Sequence, residues 1–141
     1  MTVRAILSGK GSEVTAISPD STVADAVKLL ATRRIGAVPV TDGDDIVGIF
    51  SERDVIYGLE RDGAAALDKR VGDVMTSPAM TVEADLPAMS AIALMTRRRI
   101  RHLPVVEGGR MIGFISIGDL VKYRIDRIES EAASLRDYIA S

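Results

Sequence analysis

Three groups of residues in this chain have types and spacings that could do chemistry. The first is a Gly-x-x-Ser-x-x-Asp run, found at residues 48–54 and again at 113–119. In each copy an apolar strand ends and a helix opens. Ser51 with Asp54, and Ser116 with Asp119, form capping-box-like pairs in which Asp stands where Glu or Gln is usual. A strand that delivers its chain into a free helix N-terminus makes an anion site. The first-turn N–H groups there are unpaired, and the helix dipole favours negative charge. The second group centres on His102, the only histidine in a chain with no cysteine. That supply is too poor for a metal site, and no nucleophile-elbow context makes Ser51 and His102 a hydrolase pair. No catalytic residue and no metal ligand is assigned. The third group is RRRIR at residues 97–101. Its plain reading is a solvated helix end, where cations suit the dipole. A phosphate-binding edge is the reading preferred for Arg101 alone.

The elements that must position these groups occur twice. At one offset, 104 − 39 = 65, residues 15–55 lie over 80–120 without a gap, and 12 of the 41 aligned positions are identical. The identities include Arg33, Arg34, Ile35, Pro39, Val40, Gly48, Ser51 and Asp54. An internal repeat fixes the fold unit. In the first copy, residues 14–17 predict a strand, and Asp20 and Ser21 supply capping oxygens for a helix carrying Val23, Ala26, Val27 and Leu30. Residues 37–40 and 46–50 predict a strand pair joined by a turn of Asp and Gly, and a second helix runs from Ser51 to about Glu60. The second copy predicts a strand at 80–82, a helix capped by Asp85 with Pro87 near its first position, and paired strands at 103–106 and 111–115. Short, wholly apolar strands predict sheets covered on both faces. The fold class is α/β of the α+β kind: two pseudo-symmetric β-α-β-β-α repeats packed sheet to sheet, with an extended C-terminal helix. The division is residues 1–65, 66–124 and 125–141. Residues 1–7 read as an amphipathic lead-in and residues 8–12 (SGKGS) as a flexible loop.

The last helix outruns its repeat. Val121, Ile125, Ile128, Ala132, Leu135 and Ile139 recur at spacings of four and three, an a/d seam with no Gly or Pro in residues 120–141. A symmetric second copy is the simplest partner for such a seam, so a homodimer is expected. The alternative is a helix folded back over its own domain. A chain of 141 residues buries an adequate core only if its halves share it. A net charge of −2 and only five aromatic residues argue against nucleic acid as a partner. The lack of cysteine, of a signal-peptide-like start and of a long apolar run gives the expectation of a cytoplasmic, non-membrane protein.

The repeated unit resembles the cystathionine-beta-synthase (CBS) domain, which occurs in tandem pairs. The carrying residues are VGDVMT at 71–76, the RRIGAVPV and RRIRHLPV strands, and the two Gly-x-x-Ser-x-x-Asp turns. The resemblance covers roughly residues 3–123 and implies a regulatory pair without catalytic chemistry of its own. Its clefts would take adenine nucleotides: AMP, ADP, ATP, NAD(H) or S-adenosylmethionine. Such pairs commonly dimerise into a flat disc and control another protein, here unknown. The resemblance also implies roles for single residues. Asp54 and Asp119 match the aspartate that accepts the ribose hydroxyls, a task compatible with capping. Ser51 and Ser116 match a phosphate or ribose contact, beside their plain reading as N-caps. Gly48 and Gly113 either let the nucleotide approach the backbone or mark a bend. Each cleft would take its aspartate from one repeat and its adenine pocket from the other. Cleft one joins Ser51 and Asp54 to Met80, Thr81, Val82, Ile100, Arg101 and His102. Cleft two joins Ser116 and Asp119 to Thr15, Ala16, Ile17, Ile35, Gly36 and Ala37. With Arg101 and His102 facing Gly36 and Ala37 at equivalent positions, cleft one is expected to be the more charged and to take AMP. Cleft two is expected to hold a longer ligand such as NAD(H) or to stay empty. The competing functions are a ligand-free scaffold and, less favoured, a nucleic-acid binder using RRRIR.

Overall fold

Two prolines at equivalent positions set the extent of the sheets. The computed structural model describes residues 1–10 and 14–140. The elements are α1 (Val3–Lys10), α2 (Val23–Arg33), β1 (Ala37–Asp42), β2 (Asp45–Ser51) and α3 (Glu52–Asp62). A 3-10 helix (Gly63–Asp68) and α4 (Val71–Val74) lead on to β3 (Val82–Glu83), α5 (Ala88–Arg98), β4 (His102–Glu107), β5 (Arg110–Ser116) and α6 (Ile117–Ala140). Of the loop expected at residues 8–12, residues 8–10 continue α1, and Gly11 and Ser12 lie outside the described residues. β1 and β2 pair antiparallel, with Pro39 opposite Ile49, and β4 and β5 repeat that register, with Pro104 opposite Phe114. The first strand of each repeat is shorter than the sequence predicts. Residues 14–17 supply a single parallel bridge, Ile17 to Val40, and the second copy's strand is Val82–Glu83. The Ile17 N–H donates to the Pro39 carbonyl at 3.1 Å, and the Thr41 N–H donates to the Ile17 carbonyl at 2.9 Å. The next rung toward the N-terminus would need an N–H at position 39, which proline lacks. Pro104 stops β3 in the same way, since Val82 pairs with Val105.

Two caps also differ from expectation. Thr22, not Asp20 or Ser21, caps α2: its hydroxyl accepts from the Asp25 N–H at 3.1 Å, while Asp20 pairs with Arg70. α5 starts one residue beyond Pro87 without a side-chain cap, its entry set by the proline's fixed φ of −59°. Asp85 faces Arg4 instead, at 3.3 Å.

The cores do not follow the chain. The first repeat's core includes Val23, Leu30, Val38, Val40 and Phe50, and the second's includes Met95, Leu103, Val105, Ile115 and Leu120. Yet Val3 and Ile6 of α1 are buried in the second core, and Val71 of α4 is buried in the first. Backbone bonds fix both exchanges: the Val3 N–H to Leu86 O and the Gly72 N–H to Pro19 O, each 2.9 Å. Each helix that leads into a repeat therefore docks on the other repeat. The two sheets meet where β2 lies against β5. No described helix is long and apolar enough to cross a membrane.

Candidate functional site

Both Ser–Asp pairs form the same local geometry. The Ser51 N–H donates to Asp54 Oδ2 at 2.9 Å, and the Ser51 hydroxyl lies 3.3 Å from the same oxygen. At the start of α6 the Ser116 N–H donates to Asp119 Oδ2 at 2.9 Å, and Ser116 Oγ accepts from the Asp119 N–H at 3.1 Å. Each carboxylate is held at a helix N-terminus, where its charge suits the dipole.

What approaches each carboxylate from outside its own turn differs, and the sequence reading named neither group. The Thr76 hydroxyl donates to Asp54 Oδ1 at 3.2 Å. Lys10 Nζ donates at 2.7 Å to Asp119 Oδ2 and also at 2.7 Å to the Phe114 carbonyl. Thr76 aligns with position 11 at the repeat offset, next to Lys10, so both come from the segments that lead into the repeats. That alignment was the available signal. The second cleft is consequently not the poorly charged one expected from Gly36 and Ala37, because an ammonium reaches it from α1. Burial pushes the Asp119 carboxyl up, and the Lys10 ammonium with the Ser116 N–H outweighs it. The group ends below its ordinary value.

The two repeated glycines of the turns are spaces for the chain itself. A Cβ on Gly48 would lie 2.6 Å from Met75 Sδ and 2.8 Å from the Thr76 carbonyl. Ile49 and Thr76 exchange two backbone hydrogen bonds of 2.9 Å beside it, which brings Thr76 to Asp54. At Gly113 the added atom would meet Leu7 Cδ2 at 2.5 Å.

His102 sits between the repeats. Its ring stacks on Phe114, with centroids 5.5 Å apart and planes 12° from parallel. A Cβ on Gly36 would lie 3.6 Å from His102 Cε1 and 3.3 Å from Glu52 Oε1. Gly36, expected in cleft two, therefore lies beside His102, expected in cleft one. Burial, then the Lys10 charge, push the imidazole below its ordinary pKa against weaker opposing pulls from Asp119 and Glu52.

Arg101 is exposed and lines a groove of about 280 Å³ with Arg53, Arg99, Ile100 and Ile117. Arg53 Nη1 donates to the Arg99 carbonyl at 3.5 Å, so the start of α3 meets the second repeat here. Ile35 and Gly36 line an open groove of about 510 Å³ with Val27, Leu30, Glu52, Val55 and Ile56. Met80 and Ile100 are half-buried against the second core, while Val82 and Ala37 are buried, leaving them only backbone to offer a ligand. Thr81 and Ala16 are exposed, Thr15 is half-buried, and Ile17 is tied to β1 by its bridge. Among the described residues no three His, Asp or Glu side chains gather to hold a metal.

Two β-β-α units with exchanged leading helices and a Ser–Asp cap at each strand-to-helix junction define a tandem pair of CBS domains. The CBS-domain family model matches residues 5–61 and 71–126, and the chain belongs to that family. It is 38% identical over 125 residues to the mitochondrial CBS domain-containing protein CBSX3 of Arabidopsis thaliana, covering 85% of this chain and 61% of that protein. It therefore spans less than two thirds of that relative's length. The crystal structure of a CBS-domain containing protein from Agrobacterium tumefaciens superimposes with a TM-score of 0.85 at 38% identity, over 88% of this chain and 99% of that one. CBSX2, solved in complex with AMP, superimposes with a TM-score of 0.71 at 28% identity, over 81% and 89% of the two chains.

Proposed function

We propose that this CBS pair is a non-catalytic regulatory module that binds an adenine nucleotide between its repeats and passes occupancy to a partner protein. AMP is the leading ligand, with ADP, ATP, NAD(H) and S-adenosylmethionine as alternatives, and the working unit is a homodimer joined through α6. The observation that carries the reading is Asp54, locked by its own turn through one oxygen while the other accepts the Thr76 hydroxyl. A carboxylate presented in this way can accept ribose hydroxyls in exchange for Thr76. Arg101 and Arg53, at the edge of the same junction, supply positive charge for a phosphate. Asp119, already neutralised by Lys10, is the poorer ribose acceptor. The AMP complex of CBSX2 supports an adenylate as ligand. The non-catalytic reading rests on a solitary imidazole stacked on Phe114, with no activated nucleophile assigned beside it.

Calorimetric titration with AMP tests this. The wild-type chain should bind AMP, and Asp54→Ala should abolish the heat. Arg101→Ala should weaken binding by about 1.5–3 kcal/mol, the range for a hydrogen bond to a charged group. Asp119→Ala should leave it nearly intact. If Asp119→Ala is the variant that loses AMP, the two clefts are assigned the wrong way round. No binding of any of the five ligands at millimolar concentration would leave the scaffold function in its place.

A further inference from the structure

The C-terminal half of α6 carries a face that its own domain does not use. Leu120 is fully buried and Tyr123 packs against the second core, so this side of the helix is the one docked on the domain. The seam of Val121, Ile125, Ile128, Ala132, Leu135 and Ile139 is centred roughly 100° round the helix from Leu120, at 3.6 residues per turn. Val121 is 45% exposed, Ile128 48%, Leu135 60% and Ile139 74%. An apolar stripe left in water over this length calls for a cover.

We propose that the cover is α6 of a second copy, running parallel and in register, which makes the homodimer a head-to-head pair with the two second repeats adjacent. This rests on the self-association named above and adds its orientation. With Ile125, Ala132 and Ile139 at a and Val121, Ile128 and Leu135 at d, the flanking e positions are Lys122, Glu129 and Arg136. The g positions include Arg124 and Glu131. In a parallel pair each g residue faces the partner's e residue five places on. Arg124 then faces the partner's Glu129, and Glu131 faces the partner's Arg136. Two-fold symmetry doubles both pairs, so all four contacts join opposite charges. Glu131 is already oriented by Arg127 of its own helix, at 3.2 Å. An antiparallel pair that uses the whole seam, Val121 against the partner's Ile139, brings e to e and g to g. Lys122 would then face the partner's Arg136, Glu129 the partner's Glu129, and Glu131 the partner's Glu131. All of those contacts repel, so charge selects the parallel arrangement.

The chain has no cysteine, so single introduced cysteines report without background. Val121→Cys and Leu135→Cys, at the first and last d positions of the seam, should each give a disulfide-linked homodimer of the full chain under mild oxidation. Both place equivalent d positions side by side, near disulfide range. Cross-linking of Leu135→Cys only when mixed with Ile125→Cys would show the antiparallel pair and overturn the proposal. Glu131→Arg should raise the dimer dissociation constant on the order of tenfold in sedimentation equilibrium, given the worth of exposed ion pairs. The added change Arg136→Glu should restore it. A dimer that ignores both changes and forms neither self-disulfide removes the orientation alone. A monomeric full-length chain removes the self-association as well.

Discussion

Replacing Gly48 by alanine isolates one consequence of the packing between repeats. Its equivalent, Gly113, stands in the same turn 65 residues later, so local sequence gives no ground for the two changes to differ. Their surroundings differ. The new methyl at position 48 would lie 2.8 Å from a backbone carbonyl, that of Thr76, as well as 2.6 Å from Met75 Sδ. The methionine can rotate away, but the carbonyl is held by the paired 2.9 Å bonds between Ile49 and Thr76. Overpacking of this kind costs about 1–3 kcal/mol, and weakening one of the flanking bonds adds about 1 kcal/mol. A total near 3 kcal/mol corresponds to a fall in Tm of roughly 10 °C for a chain of this size. At Gly113 the obstacles are the methyl ends of Leu7, which can change rotamer, and the cost should stay near 1 kcal/mol. Thermal and urea unfolding followed by circular dichroism measure both. The reasoning is refuted if Gly113→Ala is as destabilising as Gly48→Ala. Since the same shift moves Thr76 from Asp54, Gly48→Ala should also change AMP affinity, and Gly113→Ala should not.

Two further outcomes follow from the Lys10 charge and the groups near it. Burial and, after it, the Lys10 charge hold the His102 pKa below the ordinary imidazole value of 6.5. The stability this group contributes is therefore present above pH 6.5 and lost as pH falls from there through the folded value. Wild-type Tm should drop between pH 7 and pH 5 more steeply than that of His102→Phe, which keeps the stack on Phe114; equal slopes would refute the burial argument. Lys10→Met should let the Asp119 pKa rise, as read by carboxyl chemical shifts on titration, and should cost about 0.5 kcal/mol at pH 7 after solvent screening. Because the Asp119 pKa is depressed in the folded wild type, the cost should disappear as pH falls through that depressed value. An unmoved Asp119 titration would remove Lys10 from the site.

The sequence by itself determined the elements that depend on neighbours within a turn or a hairpin. The offset of 65, the hairpins at Gly43 and Gly108, the Ser–Asp caps and the exposed stripe of α6 all rest on periodicity, turn chemistry and capping. These are written in a few adjacent residues. Even the shortened first strands were implicit in Pro39 and Pro104, although only the register showed which rung each proline removes. Tertiary structure alone decided that α1 docks on the second repeat and α4 on the first. From that exchange come the pairing of Lys10 with Asp119, 109 residues away, and of Thr76 with Asp54. The same packing of repeat on repeat sets Gly36 against His102. Nothing local encodes these contacts, because the pattern that makes a helix amphipathic is indifferent to which of two similar cores receives it. The choice lies in the fit of particular side chains, and so two turns of matching sequence acquire an alcohol in one cleft and an ammonium in the other.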